Sequence, residues 1–118
     1  AREKSSLVIE MPGAEAQISE DTYDDGVLYP NVRRDVDQGE VQIDKGNLQG
    51  ARILFKRAAA NGSARAAMLL GGSYDPSLIA AYKTAIPPKA DIAEARRWYQ
   101  RAIELGGSRA NQAIKQLP

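Results

Sequence analysis

The sequence predicts an all-α fold of stacked antiparallel helical hairpins, preceded by an irregular acidic segment. Three observations lead there. Residues 46–62 and 90–106 align without a gap at an offset of 44 residues, pairing Ala51 with Ala95, Phe55 with Tyr99, Ala58 with Ala102 and Gly62 with Gly106. A period of that length marks stacked helical hairpins, each with a face that only a neighbour can bury. Apolar residues then recur at helical spacing from about residue 31 onward, whereas neither helical nor strand periodicity is sustained before it. Finally, residues 1–45 carry five Lys or Arg against eleven Asp or Glu, while residues 46–118 carry eleven against four. An acidic segment therefore precedes a basic repeat region.

Residues 1–30 read as an extended or disordered acidic segment. Two short apolar groups, Leu7-Val8-Ile9 and Val27-Leu28-Tyr29, are too little to offset the entropy of ordering it. Residues 31–118 form the helical repeat domain. Pro30 signals a helix start, and Val32, Val36, Gly39 and Ile43 share one face, so 31–45 is a packing helix. Repeat one, 46–74, opens with a helix over 48–60 whose buried side is Leu48, Ala51, Phe55, Ala58 and Ala59. Gly62 ends it, and Ser63 caps the next helix, which runs to about Gly71. Residues 75–90 are a loop bounded by Asp75-Pro76 and Ile86-Pro87-Pro88, with one short helical turn inside. Repeat two, 91–117, starts at the cap Asp91, continues to about Leu105, and closes with a helix opened by Ser108 and reaching Gln116.

The composition closes most routes to catalysis. The chain of 118 residues contains neither cysteine nor histidine, which removes disulfides, Cys and His metal sites, thiol nucleophiles and histidine-based triads. Gly71-Gly72-Ser73-Tyr74 is no nucleophile elbow, since no strand precedes it and no histidine can activate the serine. Asp21, Asp24 and Asp25 lack the oxygen ligands a calcium loop needs at its other positions. Asn61-Gly62-Ser63 fits a glycosylation acceptor but coincides with a helix end that already explains it. No catalytic residue, metal ligand or cofactor is assigned. No apolar run approaches the roughly 18 residues of a membrane span, and a start at Ala1 leads us to expect a processed or excised piece.

The residues also resemble a known family. Gly62, Ala66, Leu70, Gly71 and Tyr74 reproduce the Gly-x3-Ala-x3-Leu-Gly-x2-Tyr pattern of Sel-one-like repeats, a subclass of tetratricopeptide-like repeats, and Ala95 to Gly106 looks like that family's Ala-x2-Trp-Tyr-x2-Ala element. The resemblance covers about residues 46–117. It implies an α-solenoid, a short right-handed superhelix of antiparallel helical hairpins, acting as a non-enzymatic protein–protein interaction scaffold or adaptor, part of a larger bacterial protein whose compartment is periplasmic, membrane-linked or cytoplasmic. Ile114-Lys115 stands where the family has Leu-Gly, which suits a terminal capping unit. Arrays of this kind usually need about three units, so the helix at 31–45 is expected to cover an exposed apolar face, with dimerisation as the alternative.

Small residues at Ala51, Ala58, Ala66, Ala95, Ala102 and Ala110 allow close helix approach, with Phe55, Leu70, Trp98 and Tyr99 filling the remaining volume. On that basis Trp98→Ala should cost roughly 3–5 kcal/mol. For a partner site, Arg52 and Lys56 correspond by the repeat offset to Arg96 and Gln100, each pair spaced i, i+4. In the resembled family the surface lined by first helices binds peptides, so these four residues point to an acidic or carboxylate-ending protein partner. Arg57, Arg65, Arg97, Arg101 and Arg109 broaden the basic surface. The alternative is a nucleic-acid-binding module using the same surface, disfavoured by the acidic first segment. A regulatory variant has that segment covering the basic strip.

Overall fold

The structure is a computed structural model that describes residues 29–82, 84 and 88–118. The expected acidic segment, the calcium-like aspartates and the regulatory role of the first residues fall outside the described residues, apart from Tyr29 and Pro30. Among the described residues the fold is all-helical, in the order α1 (Pro30–Asp44), α2 (Leu48–Ala60), α3 (Ala64–Gly72), α4 (Pro76–Ile79), α5 (Ile92–Glu104) and α6 (Ala110–Lys115). Packing follows the chain: α1 lies on α2, α2 on α3, α3 on α5 and α5 on α6.

Local chemistry fixes most boundaries. Pro30 starts α1, where its missing N–H costs nothing. Asn47, Ser63, Asp75 and Asp91 each accept a backbone N–H at a helix start, from Gly50, Ala66, Ser77 and Glu94 respectively. Gly62 and Gly106 take φ of 102° and 104°, a left-handed conformation that costs glycine little and other residues more, and so end α2 and α5 in the same way 44 residues apart. Ser108 does not cap the last helix as expected. Arg109 stands at its N-cap without a side-chain bond, and the Ser108 carbonyl instead accepts from the Asn111 backbone and side chain at 3.1 and 3.2 Å.

Two aromatic-on-glycine contacts hold the layers. Phe55 and Tyr99 are both fully buried. Gly39 of α1 lies against the Phe55 ring and Gly71 of α3 against the Tyr99 ring; a Cβ built on Gly71 would sit 2.6 Å from Tyr99 Cδ1. Thus α1 meets α2 through the same device by which α3 meets α5, and its apolar face of Val32, Val36 and Gly39 covers the hairpin. Two ion pairs tie α1 further: Arg57 grips Asp35 bidentately at 2.7 and 2.8 Å, and Arg65 reaches Glu40 at 2.6 Å. The Arg57 guanidinium holds the Asp35 carboxyl below its usual range, although the arginine is exposed and the pair contributes little. Gly39→Ala should therefore destabilise the fold by about 1–3 kcal/mol, the range for overpacking a tight core. Urea denaturation checks this, and an Ala variant as stable as the wild type would contradict the contact.

Residues 83 and 85–87 of the expected 75–90 loop fall outside the described residues; its two described ends meet, since the Asp91 N–H donates to the Tyr74 carbonyl at 2.9 Å, and α4 forms its first turn. Asp75 anchors it. Its Oδ1 accepts from the Ser77 N–H and hydroxyl at 2.9 and 2.6 Å, and its Oδ2 accepts from the Tyr99 hydroxyl at 2.7 Å. Burial pushes the nearby Tyr82 phenol above the usual tyrosine range; Arg52 pulls it down and Asp75 adds a smaller push upward. A raised folded-state value means the native chain holds that proton more tightly than the unfolded chain. The resulting stability is full below the unfolded pKa near about 10 and is lost as pH rises through the folded value. Relative to Tyr82→Phe, the wild type should thus lose stability between about pH 8 and pH 11, as read from urea midpoints at the two pH values. A difference between the two proteins that stays constant with pH would contradict the burial of this phenol.

Candidate functional site: the cleft between α2 and α5

The four residues expected to form one basic strip differ in exposure. Lys56, Arg96 and Gln100 are exposed, but Arg52 is buried, at 8% exposure. Its Nε donates to the Ser73 hydroxyl at 3.0 Å, its Nη2 donates to the Ser73 carbonyl, and its guanidinium lies 3.9 Å from the centre of the Tyr74 ring. It therefore closes the C-terminal end of α3, where a cation complements the helix dipole. Arg52 is thus corrected from a surface contact to a structural clasp. Its counterpart Arg96 has no such cover, because a 44-residue offset from Ser73 and Tyr74 falls on Leu117 and Pro118.

A cleft of about 390 Å³ opens instead between the C-terminal end of α2 and the outer side of α5. Ala59 and Ala60 form its α2 wall; Trp98, Arg97 and Arg101 form the opposite wall, with Gln100 and Glu104 beside them. The cleft exists because α2 places two alanines where the repeat offset puts Ile103 and Glu104 in α5. Small side chains there leave one side of Trp98 uncovered. Trp98 is accordingly half-buried rather than a core residue, so the full cost of an aromatic truncation belongs to Phe55 and Tyr99, which occupy the core.

Hydrogen bonds and charge fix the wall. The Trp98 indole N–H donates to Glu94 Oε1 at 3.1 Å, Arg97 approaches Glu94 at 3.6 Å, and the Arg97 guanidinium lies 5.4 Å from the indole centre. Arg101 pairs with Glu104 at 3.2 Å. Of the predicted partner residues only Gln100 lines this cleft. The repeat spacing points to Arg52, Lys56, Arg96 and Gln100 alike and leaves Arg97 and Arg101 among the residues that broaden the basic surface. The signal for the latter pair was their position flanking the sole tryptophan, opposite the alanine pair.

A second groove, of about 440 Å³, runs past α4 and α6 and includes Asp75, Tyr99 and Arg109. The Asp75 carboxylate there already receives three hydrogen bonds that build the loop, so its chemistry is accounted for by the fold. Among the described residues no cluster of His, Cys, Asp or Glu could hold a metal ion, and no helix is long and apolar enough to cross a membrane. Comparison with known proteins returned no matching family, no curated relative and no matching solved structure.

Proposed function

We propose that this chain is a non-enzymatic protein-interaction scaffold of the Sel-one-like type, a short α-solenoid whose cleft between α2 and α5 receives a segment of a partner protein with acidic character. The observation that carries the reading is the cleft itself: a half-buried tryptophan beside two arginines, facing a wall of two alanines. Aromatic and arginine side chains are the residues that anchor protein interfaces. The repeat reading draws on the paired hairpins α2–α3 and α5–α6, the matched turns at Gly62 and Gly106, and the repeated glycine–aromatic packing. On this reading α1 stands where the second helix of a preceding hairpin would stand.

The polar rim supports a reversible interaction. Arg97 and Arg101 side chains are 69% and 46% exposed, so their ion pairs are weak and leave them available. Affinity capture with the intact chain, Trp98→Ala and Arg101→Glu tests the proposal. Both variants should keep the helical circular dichroism of the wild type and lose the same partner. Equal recovery of that partner by all three proteins would place binding elsewhere and end this reading.

A further inference from the structure

The turn between α2 and α3 is built on Asn61-Gly62-Ser63. Its serine is fully buried and the serine Oγ accepts the Ala66 N–H at 3.0 Å, so the glycosylation motif is closed in the folded chain. Its asparagine, however, is exposed and directly precedes a glycine. Asparagine is among the thermolabile residues, and a following glycine has no Cβ to hinder attack of its nitrogen on the asparagine side chain. The folded turn holds every group that such a reaction needs. The Gly62 N–H, which would supply the nucleophile, donates to the Ala59 carbonyl at 3.0 Å, and Asn61 Nδ2, the leaving group, donates to the Arg57 carbonyl at 2.9 Å. At φ −101° and ψ 18°, Asn61 places the Gly62 nitrogen beside its own nitrogen, whereas ring closure requires it on the Cβ side. The Ser63 N–H fixes the chain beyond the glycine by donating to the Ala58 carbonyl at 3.1 Å. The turn does not depend on asparagine. At the corresponding position of the second hairpin stands Leu105, at φ −89° and ψ 3°, and the Gly106 and Gly107 N–H groups donate to the Ile103 and Ala102 carbonyls at 3.0 and 2.7 Å.

We infer that Asn61-Gly62 is a self-modification site held closed by the folded turn, and that the chain converts Asn61 to aspartate or isoaspartate when the turn between α2 and α3 opens. In the open form the Gly62 nitrogen, losing its proton to water, attacks Asn61 Cγ. A bond forms between them, the Cγ–Nδ2 bond breaks, and Nδ2 leaves as ammonia with a proton returned from water. Water then adds to one carbonyl of the cyclic imide. Addition at Cγ restores the main chain with aspartate, and addition at the main-chain carbon leaves isoaspartate, whose backbone runs through Cβ. Either product loses the donor to the Arg57 carbonyl and sets a carboxylate at the C-terminal end of α2, where the helix dipole opposes it. Isoaspartate also lengthens the turn, so the Ser63 bond to Ala58 cannot re-form in register. Ala59 and Ala60 of the same helix end wall the cleft, so modification alters that wall.

The test follows the full chain and a peptide of residues 55–69 in one buffer, with proteolytic mapping and mass spectrometry locating the product. Modification of Asn61 should be at least about tenfold slower in the chain than in the peptide, the factor that an opening cost of about 1.4 kcal/mol gives. Phe55→Ala, which removes a fully buried ring from α2, should quicken it. Asn61→Leu copies the second turn, so it should keep the wild-type thermal midpoint and yield no product at this position, whereas Asn61→Asp should melt lower than Asn61→Leu. Modification as fast in the chain as in the peptide, a Phe55→Ala rate no higher than the wild type, or loss of ammonia from Asn31, Asn47 or Asn111 with Asn61 intact would each overturn the inference.

Discussion

Phe55→Ala and Tyr99→Ala should each cost about 3–5 kcal/mol, the range for truncating a buried aromatic. A small domain has only about 5–15 kcal/mol in total, so either variant leaves little margin at 37 °C. The expectation follows from position: each ring is fully buried and lies on a glycine of the neighbouring helix, so its loss opens a hole between two layers that helix backbones must close. Trp98→Ala should cost clearly less, because one side of the indole already faces the cleft. Tyr99→Phe separates packing from hydrogen bonding. It keeps the ring but removes the donor to Asp75, and should cost about 1–3 kcal/mol through the unsatisfied carboxylate oxygen. Urea unfolding of the four variants gives the order, and a Trp98→Ala cost equal to that of Tyr99→Ala would contradict it.

Arg52→Glu should destabilise the domain by at least about 3 kcal/mol. The substitution removes the bonds to Ser73 and the stack on Tyr74 and places a carboxylate against the Ser73 carbonyl at the end of α3. Arg96→Glu, at the corresponding position of the next hairpin but exposed, should change stability by no more than about 0.5 kcal/mol. The contrast is read as a difference in thermal midpoint, and equal midpoints would show that Arg52 is no clasp. One consequence concerns binding experiments: a partner lost with Arg52→Glu reports unfolding, whereas one lost with Arg101→Glu reports the cleft.

Most of the fold was legible because its determinants are local. Caps at Ser63 and Asp91, turns at Gly62 and Gly106 and the bounds of α2 follow from residue type within a few positions. Ser108 misled because a serine after two glycines looks like a cap, while the chain continues through turns before α6 begins at Ala110. The site was legible only in part, since exposure is decided by distant segments. Arg52 and Arg96 are equivalent in sequence spacing, yet the turn after α3 folds over the first and no described residue does so for the second. The cleft likewise depends on two alanines of α2 meeting Trp98 of α5 across 38 residues of chain, a coincidence that helical periodicity within either segment does not encode.

Trp98 is the sole tryptophan of the chain, which makes its emission a direct reporter of the cleft. Titrating the captured partner into the full chain should shift Trp98 emission to the blue and alter its intensity in step with binding, with Arg101→Glu weakening both signals together. Saturable binding that leaves Trp98 emission unchanged would show that the partner docks away from α2 and α5 and would contradict the account.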